Sequence, residues 1–340
     1  MHESQDIDFI ITWVDGSDPD WRATKAQYQA SRENKSIREE DTRSIRYRKW
    51  DTLRYLFRGI EAYAPWVRQV HLVTCGHLPS WLCIDCDQLH IVKHSDYIPE
   101  KYLPTFSSRT IEFNFHRIKE LSDKFVNFND DMLILRPTDP SDFFYKGLPC
   151  DTAVLSPYRV HEGDWFYAPV TNNAIVGKYF SARASIKRSP GKWLNLKYGK
   201  DLMRTLTMLP YPWFYGIMHY HLPTSLLKST LEEVWTVEDK LMNSVCLHRF
   251  RNSFDPNQWL FQQWQLAKGD FHPRSPHIGQ TFQMTNKDVV DRAAVYIEHG
   301  LGKLACVNDD EMSEDLYKYA QSVMTDTLKG VLPEKSKFEI

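Results

Sequence analysis

Two acids stand side by side at Asp130 and Asp131, in the segment FVNFNDDMLILRP, after one apolar run and directly before another. If strand geometry persists, neighbouring side chains point to opposite faces. One acid then meets a ligand while the other holds the loop. Ligands of open α/β sheets gather at the carboxyl ends of strands. Hard cations such as Mg²⁺ take carboxylate oxygens there, often only one or two from protein, with phosphate and water completing the shell. A capping acid at a strand-to-loop turn is the plainer alternative. From the pair alone, glycosyl transfer, phosphoryl transfer and hydrolysis all stay open.

The segment TWVDGSDP (12–19) repeats the arrangement: an apolar strand, then acids and a glycine in a tight loop. Asp15 and Asp18 suit a nucleotide or a metal, Trp13 a base, and Gly16 a close backbone approach. A polar turn built on Asp side chains explains the same residues. Arg54 and Arg58 lie four apart on a helical stretch, off its apolar stripe. Two guanidinium groups on one face match a diphosphate, and a solvated face paired with Asp51 and Glu61 is the ordinary explanation. His219 and His221 alternate in MHYHLPTS, which places both on one side of an extended segment, with Pro223 opening the next helix. A neutral histidine accepts a proton from an attacking hydroxyl near pH 7; a metal pair and polar packing are the other readings. CIDC (83–86), with His90 and His94 beyond it, is one CxxC without a second pair, which argues against structural zinc. There is no GxGxxG, P-loop, GxSxG or HExxH, so Walker-type ATP use and serine-hydrolase chemistry lose support.

The elements that must position these residues alternate. DIDFIITWV (6–14) reads as a buried strand, and 22–46 as a charged helix followed by a loop. Residues 47–65 form an amphipathic helix, with Trp50, Leu53, Phe57, Ile60 and Ala64 at helical spacing. Strands follow at 69–76 and 89–94, a helix capped by Ser107 or Ser108 at 107–118, and a fourth strand at KFVNFND. This order predicts α/β structure with a mostly parallel sheet. Beyond Pro149, CDTAVLSP reads as a further strand. Helices are expected near 171–183, 223–235, 236–248 and 257–268, then a strand at 303–308 and a helix at 313–328. With no flexible linker, a single domain over 1–340 is expected, with an α/β half (1–160), a mainly helical half (161–300) and a closing strand and helix (301–340).

The 340 residues are 42% hydrophobic and 25% charged, ordinary globular usage that supports a core. A net charge of -2 gives nucleic-acid binding no support. Aromatics at 14%, with 11 Trp, fit sugar-stacking surfaces or simply a bulky core. No run approaches the roughly 18 apolar residues that span a bilayer, and the opening MHESQDIDF lacks the regions of a signal peptide. Six scattered cysteines fit a reducing compartment. The expectation is a cytoplasmic protein.

Taken together, IDFIITWVDGSDP, LRYLFRGIEAYAPWVRQVHLVTCGHLPSWL, LPTFSSRTIE, HRIKELSDKFVNFNDDM, HLPTSLLKS and CVNDDE resemble the conserved blocks of the Stealth proteins. These are bacterial capsular and exopolysaccharide hexose-1-phosphate transferases, and the catalytic core of eukaryotic N-acetylglucosamine-1-phosphotransferase is similar. All four blocks occur in order, the second over 48–144, the third over about 172–268 and the fourth over 303–320. The resemblance implies a Rossmann-like nucleotide-sugar fold with a helical C-terminal portion packed on it. It also implies a reaction: a sugar hydroxyl attacks the β-phosphorus of a UDP-sugar, UMP leaves, and a phosphodiester joins two sugars.

Carried over by residue, Asp130 and Asp131 match the family's paired acids, His221 its His-x-Pro histidine, and Arg251 in RNSFD a functional arginine. Asn173 sits where the third block has a polar ligand-facing residue, and Asn308 and Asp309 match the Asn-Asp of the last block. Cys75-Gly76-His77 departs from the usual polar-Gly-Gln run. On this reading Mg²⁺ or Mn²⁺, held by Asp131 with Asp309, neutralises the diphosphate. Arg251 stabilises phosphate oxygens. His221 takes the acceptor proton or attacks phosphorus itself. The partners implied are a UDP-sugar and an oligosaccharide or lipid-linked polysaccharide acceptor, with peripheral contact at the inner face of the plasma membrane, although no amphipathic anchor stands out. The rival readings are a metal-dependent glycosyltransferase, which releases UDP, and a carbohydrate-binding protein without turnover.

Overall fold

The computed structural model describes residues 6–30, 50–158, 167–309 and 312–340. Its elements run β1 (Ile7–Thr12), α1 (Pro19–Ala30), α2 (Thr52–Tyr63), β2 (Val70–Thr74), β3 (Leu89–Lys93), α3 (His94–Tyr97), α4 (Ser108–Phe113), β4 (Lys124–Asn129), β5 (Met132–Ile134), α5 (Pro140–Phe143), β6 (Phe144–Tyr145) and β7 (Leu148–Asp151). They continue with α6 (Tyr167–Tyr179), α7 (Ala182–Arg188), α8 (Pro190–Trp193), α9 (Leu202–Met208), β8 (Thr224–Leu227), α10 (Lys228–Val237), α11 (Asp239–Leu247), α12 (Trp259–Lys268), β9 (His272–Pro273), β10 (Gly279–Gln283), α13 (Lys287–Glu298), β11 (Leu304–Asn308) and α14 (Glu314–Val331).

The expected α/β class holds. Five strands form one sheet in the order β3-β2-β1-β4-β8, and its β3-β2-β1-β4 run is the order found on one side of doubly wound folds. β2 and β3 pair in parallel. β8 closes the edge antiparallel to β4, with Leu226 opposite Phe125. This corrects the helix expected from Pro223: Thr224–Leu227 is strand, and the helix begins at Lys228. Pairing with β4 and burial of Leu226 outweigh local helical preference. The helix expected at 107–118 is likewise interrupted. It ends at Phe113, and a short 3-10 turn covers 115–117. Ser107 stands at its N-cap without a side-chain capping bond. Most of the 22–46 stretch lies outside the described residues.

A second sheet, β10-β11-β5, was not foreseen. β10 and β11 are parallel and joined through α13. Asn286 caps α13 by accepting the Val289 N–H at 3.1 Å, and Val290, Ala293, Ala294 and Ile297 are buried at i, i+3, i+4 and i+7. β5 pairs antiparallel with β11, placing Met132 opposite Cys306. α2 lies directly on β5: a Cβ built on Gly59 would stand 2.4 Å from the Ile134 carbonyl oxygen. One core cluster joins Leu133 and Leu135 to Ile297, Val307 and Met324, and each fully buried side chain of this size is worth about 1.5–3 kcal/mol.

The chain divides into two compact units that interleave in sequence. The first takes 1–9, 95–127 and 139–278; the second takes 10–94, 128–138 and 279–340.

Candidate functional site

In the second unit the turn after β4 carries Asp130 and Asp131, and β5 leads away from it. The β5–β11 register then does what sequence order cannot. The Val307 N–H donates to the Asp131 carbonyl at 2.9 Å, so Cys306–Asp309 lies alongside the NDDM turn. The Cys306 thiol hydrogen-bonds the Asp131 carboxyl, and a carboxylate oxygen of Asp131 and Cys306 Sγ lie within 4.8 Å. The Trp50 indole N–H donates to Asp309 Oδ2 at 3.0 Å. Both acids are half-buried as residues, but Asp131 Oδ1 is sealed from solvent and has no hydrogen-bond partner.

Charge is costly here. Burial pushes the Asp130 carboxyl up to about 7, and the Asp131 charge adds to this. Burial pushes Asp131 up to about 6; the Cys306 hydrogen bond opposes the shift and the Asp309 charge reinforces it. The Cys306 thiol is held well above its usual range, first by burial and then by the adjacent acids, so it stays protonated at neutral pH. Hard cations take oxygen in preference to sulfur, so the carboxylates are the donors such a cation would use. Asp131 fits a hard cation such as Mg²⁺ or Mn²⁺ in one respect: a cation would satisfy its sealed carboxylate oxygen.

The loop after β1 shows how its acids are used. Asp15 Oδ1 accepts the Ser17 N–H at 2.9 Å and the Ser17 hydroxyl at 2.6 Å. Asp18 Oδ1 accepts the Trp21 N–H at 2.7 Å, capping α1. Gly16 is buried between them. His77 anchors the loop: its Nε2 accepts the Asp15 N–H at 2.5 Å, and its ring meets Trp13 edge-on at 5.2 Å. The departure at Cys75-Gly76-His77 therefore lies against Trp13 and Asp15.

Arg54 and Arg58 meet the 332–339 segment. Arg58 grips Glu339 with two hydrogen bonds, 2.8 and 2.9 Å, and donates to the carbonyls of Leu332 and Pro333 at 2.8 and 3.1 Å. Arg54 lies 3.8 Å from both Asp51 and Glu339 and over the Trp81 ring. The pair fastens the 332–339 segment. Of the suggested zinc set, His90 meets His71 across the strand pair, Nδ1 to Nδ1 at 2.9 Å, while Cys83 and Cys86 are half-buried free thiols.

In the first unit, His219 and His221 do share a side, but through a tight turn instead of strand alternation. His221 has φ 47°, a left-handed conformation that costs energy outside glycine. Its N–H donates to His219 Nδ1 at 2.8 Å, which puts the His219 proton on Nε2. His219 stacks on Trp259 at 3.6 Å, and His221 meets the same indole edge-on at 6.0 Å. Burial lowers the pKa of both imidazoles, His219 far below its usual value. His221 is accordingly neutral at pH 7 and able to accept a proton.

Arg251 donates to Ser108 Oγ at 2.8 Å and, with Arg109, lies near Glu112. Burial pushes that carboxyl up to about 7 against the pull of Arg251 and Arg109. Arg109 also faces Asp255 at 4.0 Å, and Asp255 accepts from or pairs with His248 Nδ1 at 2.9 Å. Asn173 donates from Nδ2 to the Phe214 carbonyl at 2.6 Å, leaving a buried Oδ1 without a hydrogen-bond partner.

Comparison with known proteins gives this geometry its context. Residues 5–33 match the Stealth protein conserved region 1, and residues 46–150 match conserved region 2. The capsular polysaccharide phosphotransferase WcwK of Streptococcus pneumoniae is 36% identical over 100% of this chain and 99% of its own. The chain belongs to the Stealth family. Other Stealth relatives include the receptor polysaccharide phosphotransferase WefC of Streptococcus gordonii, 37% identical over 98% of this chain and 99% of its own. The exopolysaccharide phosphotransferase cps2G of Lactiplantibacillus plantarum is 34% identical over 98% of this chain and 96% of its own. This Stealth chain is therefore an enzyme, a phosphotransferase. Among solved structures, the galactosyltransferase LgtC covers 95% of both chains at 9% identity, with a TM-score of 0.40.

Four residues of this Stealth chain escaped the sequence reading: Trp50, Glu112, Trp259 and Cys306. Glu112 alone carried a signal, a carboxylate inside the otherwise apolar run TIEFNF. The others look like ordinary core residues until the strand register and the His219 stack are known.

Proposed function

We propose that the protein transfers an (N-acetyl)hexose-1-phosphate from a UDP-sugar to a sugar hydroxyl of a growing capsular or exopolysaccharide, releasing UMP. The observation that carries this reading is the β5–β11 register, which sets Asp131 beside the Cys306–Asp309 block. A diphosphate donor needs charge neutralisation at such a place, and phosphoryl transfer is mainly positioning plus charge stabilisation. Asp131 and Asp309 would hold Mg²⁺ or Mn²⁺, which neutralises phosphate charge when bound. Asp130, the more strongly perturbed of the pair, serves the acceptor side or the loop. The Trp13–Asp18 loop, with Gly16 at its centre, contributes to the donor site, and Asn173 offers its carbonyl oxygen to a ligand N–H or O–H. His221, neutral and turned out of regular backbone, takes the proton of the attacking hydroxyl. Arg251 stabilises phosphate oxygens.

The test is a panel of UDP-sugars with Mg²⁺ and a short acceptor, followed by ³¹P NMR. UMP together with a phosphodiester signal is expected. UDP as the released nucleotide would make the protein a glycosyltransferase, and binding without either product would make it a lectin. His221→Ala and Asp131→Ala should stay folded and lose transfer by orders of magnitude; near-normal turnover in both removes the mechanism.

A further inference from the structure

No helix among the described residues is long and apolar enough to cross a membrane, but one stretch of the first unit is unusually basic and apolar at its surface. Between Phe180 and Gly216 the sequence has seven Lys or Arg and a single acid, Asp201, in a chain of net charge -2. The same stretch carries a cluster of exposed apolar side chains: Leu196 is 87% exposed, Trp213 61%, Met203 60% and Tyr211 51%. Met203 and Leu206 lie three apart on the outer side of α9, while Thr205 faces inward and its hydroxyl accepts the Leu155 N–H at 3.0 Å. After α9 the chain runs Tyr211-Pro212-Trp213-Phe214-Tyr215, with residues 211, 213 and 215 exposed and Phe214 buried.

This outward display is held from beneath. Phe214 packs against buried Trp193 at 6.0 Å, and Arg183 holds the aromatic loop by donating to the carbonyls of Pro210 and Pro212 at 3.1 and 3.2 Å. Arg183 thus ties the aromatic loop to the basic stretch, in which Lys187, Lys200 and Arg204 are also exposed.

We infer that this surface seats the protein on a bilayer rich in anionic lipid. Aromatic rings at the headgroup level, aliphatic tips below them and Lys or Arg around them are the makings of an interfacial contact, and basic clusters are drawn to anionic leaflets. Sugar stacking would use the rings but leaves Leu196, Met203 and Leu206 without a role. The anchor is assembled from α9 and two loops, so it shows no continuous periodicity in the sequence. Tyr220, next to His221, donates its hydroxyl to Asp201 at the start of α9 at 3.0 Å. The docked surface is thus bonded to the segment bearing the candidate base, as suits an acceptor carried on lipid. That last step rests on the proposed transfer reaction; the membrane contact does not.

The experiment is co-sedimentation of the full chain with vesicles of phosphatidylcholine alone, or of phosphatidylcholine and phosphatidylglycerol in equal parts. The wild type should bind the second and not the first. Lys187→Gln/Lys200→Gln/Arg204→Gln should weaken partitioning on the order of 100-fold, from about 1 kcal/mol per basic residue. High salt should do the same by screening. Met203→Ser/Leu206→Ser/Trp213→Ser should abolish sedimentation at the same lipid concentration. Both variants should keep their melting temperature and their turnover of a short soluble acceptor. Wild type that ignores phosphatidylglycerol, binds both vesicles equally, or instead forms a Trp213-dependent dimer overturns the inference. Absence of all transfer in the wild type would sink the proposed function and leave the vesicle result standing.

Discussion

Arg58→Ala separates a structural arginine from a substrate ligand. In the second unit, the Arg58 and Glu339 side chains are 10% and 2% exposed, and the guanidinium also serves two backbone carbonyls. Removing one partner of such a pair strands a buried charge and costs about 3–5 kcal/mol. At the low end of the usual conversion, about 2 °C per kcal/mol, the melting temperature should fall by about 6–10 °C at pH 7. The pH dependence gives a second, sharper readout. Burial alone raises the Glu339 pKa, but the Arg58 and Ser336 hydrogen bonds bring it below its ordinary value of 4.5. The wild-type contribution is therefore present above pH 4.5 and is lost as pH falls through the lowered folded value. Without Arg58, burial acts unopposed by that bond, the folded value rises, and stability falls as pH climbs past 4.5. The slopes of melting temperature against pH between 4 and 6 should differ in favour of the wild type at the upper end. Arg58→Met/Glu339→Met should recover most of the loss, because no charge is left stranded, and should keep the wild-type KM for donor. An Arg58→Ala protein that melts like the wild type while its donor KM climbs refutes the reasoning and restores Arg58 to the diphosphate.

Asp130→Asn should stabilise the protein at pH 8 by roughly 1–3 kcal/mol without added metal. Its carboxyl is raised from 3.8 to about 7, so folding gains from its proton below 3.8 and loses that gain as pH rises towards 7; melting curves at pH 4 should nearly coincide and those at pH 8 should not. A variant less stable at pH 8 contradicts this account. Gly59→Ala should cost about 1–3 kcal/mol by forcing α2 off the Ile134 carbonyl, seen as a lower denaturation midpoint in urea with an unchanged slope. A midpoint like that of the wild type would mean α2 does not bear on β5.

Much of the fold could be read from sequence where periodicity is strong. The stripe Leu53, Phe57, Ile60 announces α2, and the apolar runs before Asp15 and Asp130 announce β1 and β4. The second sheet was not legible for a physical reason. β5 is three residues long, too short to show a period, and it is a strand only because β11 pairs with it. β8 fell to the same cause, since Thr-Ser-Leu-Leu after proline becomes strand through β4. The acids and His221 were legible as types and through the family blocks. What the sequence hid was their setting: that His219 stacks on Trp259, that Cys306 grips Asp131, and that the Arg54–Arg58 face is covered by residues more than 270 positions away.

The β5–β11 register also fixes when in the life of the chain these acids first come together. Asp131 and Asp309 stand 178 positions apart, and no local contact can bring them close. During synthesis the paired acids emerge early, and the block that completes their surroundings emerges only when β11 does. A nascent chain exposes Asp130 and Asp131 without Cys306 or Asp309. If the acids act as proposed, competence would arrive late and at once, with the pairing of one three-residue strand.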